Sequence, residues 1–406
     1  MPLSPATGIH SEVVDLSFEE EPLGMPAITG FGFPRFEFGE FLGPDRRYKI
    51  VRKLGRGLNS TTWLVHDEQS RNYFALKGLT GNNTVGTEKG LLWERDALLR
   101  VSFTPNQNCL TLKDSFTVVG KGSAGSHLCF VTPLLAGDVK YVWRSVWKDR
   151  LPLPLTKRIL LHTLRGLAHA HKCGVVHTDL KPENIFVSNV MSTSDIDTLL
   201  VVDPSRTHGA QDSSDGIVFP CVSQPFPGPS LEDSMNRTYI LGDFGSAQPI
   251  GKPLSDEITP NALRPPEIIL GAPWDEKVDI WTFGCLIYEL VGGRLWRPEP
   301  CTVNDVELDA TETLLHQIMC HTIDDFEAEL LQVSRNAATW FDLGCNLKKG
   351  PKLYNIRYED RIKRLNILSE AEVESWARVL RRCLRINPAQ RCSAEELLSD
   401  PWFKQD

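Results

Sequence analysis

His177-Thr-Asp-Leu-Lys-Pro-Glu-Asn184, followed by Leu241-Gly-Asp-Phe-Gly245, decides how this chain is read. The two strings supply four polar groups in a fixed order. Asp179 can accept a hydroxyl proton, Lys181 can neutralise charge on a transferring phosphoryl group, and Asn184 and Asp243 can hold Mg2+ through oxygen. Polar residues between a helix and a strand ordinarily make local turns. Turn chemistry does not account for an eight-residue string in this order with Asp-Phe-Gly after a second predicted strand. The chemistry implied is movement of the γ-phosphoryl group of ATP.

Upstream, Leu54-Gly-Arg-Gly-Leu-Asn-Ser60 lies between two predicted strands. Small residues there let backbone N–H groups approach phosphate oxygens. Alone, such a stretch reads equally well as a tight hairpin turn. The next predicted strand carries Lys77 in Phe74-Ala-Leu-Lys77. A single lysine on a strand is usually a solvated edge residue; with the strings above it becomes a bridge to phosphate oxygens, held by a carboxylate from the following helix. Glu94 is the preferred partner, because Ala97 and Leu98 share its helix face, and Glu88 is the alternative.

Coarse periodicity frames these motifs. Strand-like runs at Tyr48–Leu54, Thr62–His66, Tyr73–Lys77 and His127–Thr132 predict an antiparallel sheet, with a helix over Leu91–Val101. From Pro133 onward the pattern is helical. Leu155–His171 puts Ile159, Leu160, Thr163, Leu164 and Leu167 on one face, and Asp279–Leu290 is apolar nearly all round, predicting a buried helix. Further helices are predicted at Thr311–Met319, Glu370–Leu384 and Ser393–Leu398. Residues Met1–Gly30 show no periodicity and read as a flexible lead-in; Ser188–Arg237, rich in Pro, Ser and Asp, reads as a structureless insertion loop.

Bulk properties narrow the class. At 406 residues, with 41% hydrophobic and 24% charged residues, the chain can bury a core without staples. Its ten cysteines form no CxxC pair or Cys/His cluster, which suits a reducing compartment and speaks against a zinc site. The net charge of −8 argues against direct nucleic-acid binding and leaves room for basic partners. No leader or membrane-length apolar run is visible, so a soluble monomer in the cytoplasm, the nucleus or both is expected, without membrane attachment.

From about Tyr48 to Phe403 the chain resembles the eukaryotic protein kinases, on the strength of the glycine loop, strand lysine, catalytic loop, Asp-Phe-Gly and Pro265-Pro-Glu267. The resemblance implies an α+β, bilobal fold: an N-terminal extension (1–44), an N-lobe of antiparallel sheet with a helix αC (45–135), and a larger helical C-lobe (136–404) carrying the insert (188–237). It implies ATP and Mg2+ as cofactors, with Asp179, Lys181, Lys77 and Glu94 catalytic and Asn184 and Asp243 on the metal. The nucleotide would touch Leu54, Gly55, Arg56, Gly57, Leu58, Asn59, Ser60, Thr62, Ala75 and Lys77, the gatekeeper Thr132, hinge residues Pro133 and Leu135, and Phe186. It further implies that Glu267 pairs with Arg391 and that Asp279 braces the catalytic loop.

Within the kinases, Tyr48–Leu64, Thr178, the insert, Ala272-Pro-Trp-Asp-Glu-Lys-Val-Asp-Ile-Trp281 and Thr339–Leu347 resemble the SR-protein kinases, especially divergent fungal-type members. That implies a serine/threonine kinase acting on protein substrates, including Arg/Ser-rich ones. The CDC-like (LAMMER) kinases are the second reading, and a nucleotide-binding pseudokinase scaffold the third. Carboxylates at Asp305, Glu307, Asp309, Glu312, Asp324, Asp325, Glu327 and Glu329 would hold Arg-Ser repeats, or simply form a solvated face. Many kinases place an arginine before the catalytic aspartate to bind an activation-loop phosphate; Thr178 has no charge, so activity without phosphorylation at Ser255 or Thr259 is expected.

Overall fold

The computed structural model describes residues 20–145 and 150–404. Alternating burial in the first third builds one antiparallel sheet in the order β1-β2-β3-β4-β6-β5, from β1 (Phe41–Leu42), β2 (Tyr48–Arg56), β3 (Ser60–Asp67), β4 (Asn72–Leu79), β5 (Asp114–Val119) and β6 (Ser126–Pro133). The glycine stretch is the β2–β3 hairpin, closed where the Gly57 N–H donates to the Ser60 carbonyl at 2.8 Å. Two helices follow β4: α1 (Gly81–Glu88) and α2 (Glu94–Phe103). α1 was not expected, and the helix predicted from Leu91 starts three residues later, at Glu94.

Beyond β6 the chain is mainly helical, so the class is α+β, with its β-rich part first. After β7 (Leu135–Asp138) come α3 (Val139–Ser145) and α4 (Leu153–Lys172), whose predicted apolar face is buried. β8 (Val175–Val176) leads into the catalytic string, and β9 (Ile185–Ser188) pairs with both β7 and β12 (Tyr239–Leu241). α7 (Pro266–Leu270) precedes α8 (Lys277–Gly292), in which every residue from Val278 to Tyr288 is buried. The close approach of α8 to the helix at Glu370–Cys383 requires Gly284, because a Cβ there would lie 2.7 Å from that of Cys383. The helices at Ala310–Thr322 (α9), Glu370–Cys383 and Ala394–Leu398 each begin with a capping box, at Asp309/Glu312, Ser369/Glu372 and Ser393/Glu396.

Two expectations are corrected. The insert is not structureless: it forms α5 (Thr193–Val202), a hairpin of β10 (Gln211–Ser213) and β11 (Gly216–Val218), and α6 (Leu231–Ser234). Its apolar residues explain the order, since Ile196 and Phe226 bury against Leu64 and Leu134, and Val218 against Leu23 and Phe33. Residues 1–19 of the lead-in lie outside the described residues. From Glu20 to Gly24, however, the lead-in is packed, because the fully buried Lys53 ammonium bonds to Glu20 (2.6 Å) and to Glu21, and Leu23 is buried. A cation inside the protein needs such counter-charge.

Candidate active site

The site is built from the catalytic string upward. Asp279, on buried α8, accepts the backbone N–H groups of His177 (2.7 Å) and Thr178 (2.8 Å), and His171 lies 2.9 Å from the same carboxylate. Thr178 is held at φ 66° and donates its hydroxyl to the Ser246 carbonyl at 2.7 Å. A β-branched residue in the left-handed region is strained, and these bonds hold it there. His177 Nε2 lies 2.9 Å from the Gly242 carbonyl, which can only accept; Nε2 therefore carries the proton, and Nδ1 accepts the Asp179 N–H at 3.3 Å. The expected bracing by Asp279 is present.

So constrained, Asp179 places its carboxylate 2.7 Å from the Lys181 ammonium and 3.0 Å from the Asn184 amide, both on Oδ2. The Asn184 amide also donates to the Asp179 carbonyl at 2.7 Å, which turns the Asn184 side-chain oxygen away from these bonds. On the sheet side, Lys77 bonds Glu94 at 2.6 Å and Asp243 at 2.9 Å. Glu94 is the partner; the alternative, Glu88, ends α1 and takes no part. Burial alone would depress the Lys77 ammonium, but the two carboxylates hold it above the usual lysine range. The same burial raises the Glu94 carboxyl despite its pairing with Lys77. Asp243, drawn down chiefly by Lys77, sits at about 2 and is ionised at neutral pH. Its backbone is also left-handed, at φ 55°, and such strained residues cluster at functional sites.

Lys77, Glu94 and Asp243 line a cavity of about 430 Å3, whereas Asp179, Lys181 and Asn184 are not among its walls. Its walls include the expected Leu54, Gly55, Arg56, Gly57, Ser60, Thr62, Ala75, Lys77, Thr132, Pro133, Leu135, Phe186 and Asp243, with Glu94 behind Lys77. Leu58 and Asn59 do not line it: they form the hairpin tip, where Leu58 is 78% exposed and the Asn59 carbonyl is taken by Thr80. Eight wall residues were not among the predicted site residues: Leu98, Leu110, Phe130, Leu134, Gly137 and Asp138, and, from the insert, Pro225 and Phe226. A helical Ile196/Leu199/Leu200 spacing behind a Ser192-x-x-Asp195 cap was the available signal that this segment folds back.

Farther off, Arg391 makes a two-pronged pair with Glu267 at 2.6 and 2.7 Å, both side chains fully buried, as the resemblance implied. The acidic run divides. Asp309 and Glu312 cap α9, Glu312 also binds Lys349, Asp324 accepts from Arg385 at 2.7 Å, and Glu327 accepts from Asn387 and Gln390. Asp305, Glu307, Asp325 and Glu329 are exposed and have no side-chain partner among the described residues.

The protein kinase domain family matches residues 48–211 and 230–403, and the chain belongs to that family. Along almost its whole length it is also similar to particular kinases. A serine/threonine protein kinase of Aspergillus fumigatus is 27% identical, over 99% of this chain and 96% of that protein. The serine/threonine-protein kinase SRPK of Physarum polycephalum is 25% identical, over 95% and 92%. The dual specificity protein kinase lkh1 of Schizosaccharomyces pombe is 26% identical over 88% of this chain but only 47% of its own length. The chain is thus SRPK-like, and its enzyme class is that of the serine/threonine protein kinases.

Proposed function

We propose that this serine/threonine protein kinase binds Mg·ATP in the cavity between a sheet-built N-lobe and a helical C-lobe, and phosphorylates Arg/Ser-rich protein segments. The observation that carries the reading is convergence: Lys77, Glu94 and Asp243 form one ion cluster, Asp179, Lys181 and Asn184 another, and both are held by bonds to the same two strings.

The residues present fit a divalent cation. Asp243 commits one carboxylate oxygen to Lys77, while its Oδ2 and the Asn184 side-chain oxygen have no partner among the described residues. One carboxylate and one amide oxygen, with no cluster of three His, Cys, Asp or Glu ligands among the described residues, suit Mg2+ that completes its shell with phosphate and water. Bound there, Mg2+ would neutralise phosphate charge. The protein supplies the remainder. Lys77, positioned by Glu94, holds phosphate oxygens. Asp179 accepts the substrate hydroxyl proton, and Lys181 compensates charge on the group in transit. Ala75 and Phe186 provide the apolar faces for the base. Every group whose loss would favour a scaffold without turnover is present, which speaks against the pseudokinase reading.

The substrate class rests on charge. Beside Lys181, a cavity of about 250 Å3 is lined by Glu289 and by Glu183, which also bonds Lys140, together with Arg294, Leu263 and Trp296. Burial raises the Glu289 carboxyl, and a guanidinium arriving there would meet a fork-shaped partner in a partly apolar slot. The exposed Asp325 and Glu329 add carboxylates for further arginines. In the reducing interior of a cell, cytoplasmic or nuclear, all ten cysteines would stay unpaired, as they are here.

The test is phosphorylation of an Arg-Ser repeat peptide with Mg·ATP. Activity should vanish in Asp179→Ala, and Asp325→Lys with Glu329→Lys should raise the peptide KM without changing that for ATP. An unchanged peptide KM would remove the docking role, and no ATP-dependent transfer to any serine peptide would remove the kinase reading.

A further inference from the structure

We infer that Phe226, carried by the insert, is a wall of the base-binding end of the nucleotide site; the inference rests on the cavity being the ATP site. The insert reaches it along an open sheet edge. β1 covers β2 only at Tyr48 and Lys49. Gly39 and Glu40 bond the Ile50 carbonyl and N–H, and from Val51 the insert takes over: the Ser205 hydroxyl donates to the Val51 carbonyl at 2.8 Å, and the Gln224 N–H to the Lys53 carbonyl at 2.9 Å. Gln224 is itself buried and fixed, donating to the Asp203 carboxylate at 3.2 Å and the Pro204 carbonyl at 3.1 Å while accepting the Arg206 N–H at 3.0 Å.

The next two residues enter the cavity. Pro225 has a fixed φ and no N–H to satisfy, so the turn inward costs no donor. Phe226 is 7% exposed and packs in one apolar cluster with Leu64 and Leu134, with Leu54 and Ala75 against it. Among the cavity's charged members, Glu94 and Asp243 both bond to Lys77 and form a separate group from this cluster, while Arg56 belongs to the glycine hairpin and Asp138 to β7. Phe226 thus stands with the residues that take the base, not with those that take the phosphates. An aromatic ring buried at a pocket wall contributes contact area without a hydrogen-bonding demand. Affinity at the base end therefore depends on a residue that lies between the catalytic loop and Asp-Phe-Gly in sequence and outside both.

Calorimetric binding of Mg·ATP and of adenosine to the full chain tests this. Phe226→Ala should weaken both ligands by a similar factor, about tenfold, and Phe226→Leu by about threefold. The KM for ATP should rise by the same factors, with kcat falling less. Phe219→Ser, in the same insert but outside the cavity, should change neither ligand. Equal affinities in wild type and Phe226→Ala would overturn the proposal. So would loss of Mg·ATP affinity with adenosine unaffected, because Phe226 would then act only through the glycine hairpin. Should the alanine variant fail to fold, Phe226→Leu decides alone, and wild-type adenosine affinity in it would overturn the proposal. Wild-type protein that binds neither ligand would instead defeat the ATP-site reading, a result distinguishable from the others.

Discussion

The catalytic interior and the cover over β2 both bury charge, yet they are assembled in opposite ways. In the interior the cooperating groups come from short strings: Asp179, Lys181 and Asn184 lie within six residues, and Asp243 sits one residue from Gly242, whose carbonyl orders His177. In the cover, Lys53 is held by Glu20 and Glu21, more than thirty residues before it, and by the Cys221 carbonyl, 168 residues after it. Arg52 beside it reaches Asp203 at 3.4 Å. The first arrangement brings ionisable side chains within hydrogen-bond reach of one another; the second joins the lead-in and the insert to the strand that runs into the glycine hairpin. Chemistry written in neighbouring residues is visible in a sequence, whereas a bond between two remote, unpatterned polar segments is not.

The largest effect should come from the interior. Asp179→Ala should lower kcat about 10³-fold, near the middle of the range for a positioned proton acceptor, with KM for ATP changed severalfold at most and thermal stability retained. Steady-state assays with an Arg-Ser peptide measure the first two, and calorimetry the third. A decrease below tenfold would mean that Asp179 is not the acceptor, and that the interior is as structural as the cover.

The cover answers in stability. Glu20→Gln with Glu21→Gln leaves the Lys53 ammonium buried without counter-charge, and unfolding in urea should show a loss of about 3 kcal/mol. Adding Lys53→Met should return most of it, since an apolar side chain of similar length removes the uncompensated charge. If the double variant is as stable as wild type, the lead-in is peripheral and the contrast with the interior disappears.

These cases show what could be read in advance. The strands, the α8 core helix, the grouping of Asp179 with Lys181 and Asn184, and the Lys77–Glu94 choice followed from periodicity and from residue types read as a set. α1 was missed because Gly81-Asn-Asn-Thr-Val-Gly-Thr-Glu88 has almost no apolar face and two glycines; its start is secured by Thr80, whose side chain accepts the Asn83 N–H at 3.2 Å. The acidic run after α8 looked uniform by composition, but capping and ion pairing had already claimed Asp309, Glu312, Asp324 and Glu327. Leu58 and Asn59 were credited to the nucleotide because they stand between Gly57 and Ser60, yet they form the hairpin tip and do not line the cavity.

Acidification should locate a third difference. Burial pushes the His162 imidazole down to about 4, helped by Arg158 and Arg165, and pushes His321 down to about 3, helped by Arg361. Both folded values lie below the ordinary 6.5, so each histidine's contribution is complete above pH 6.5 and is lost as pH falls toward its folded value. Stability should fall by up to about 1.4 kcal/mol per pH unit for each between pH 6.5 and 4. His162 also accepts the Tyr239 N–H at 3.1 Å, a bond its protonation would abolish, so the acid-sensitive part should be the helical body beneath the catalytic strands, not the cover. Urea unfolding at pH 7 and 5 should give a smaller difference for His162→Gln than for wild type; an equal difference would place the sensitivity elsewhere.

The smallest expected effect concerns phosphate. Where an arginine before the catalytic aspartate would need an activation-loop phosphate as its partner, Thr178 is buried and uses its hydroxyl on the Ser246 carbonyl. The loop is tied down by a carboxylate it carries itself: Asp256 binds Arg335 and accepts the Trp274 indole N–H at 2.9 Å, and its carboxyl is held below the ordinary value by those two partners. Gln248 adds three bonds, accepting the N–H groups of Leu254 and Ser255 and donating to the Ser255 carbonyl. A phosphate at Ser255 would bring negative charge next to Asp256, where repulsion would oppose the ordering it provides elsewhere. Phosphatase treatment, or Ser255→Ala with Thr259→Ala, should therefore change kcat by less than twofold, whereas Asp256→Ala should reduce it several-fold. Loss of turnover on dephosphorylation, restored by phosphorylating either residue, would show that the loop needs a charge that Asp256 does not supply.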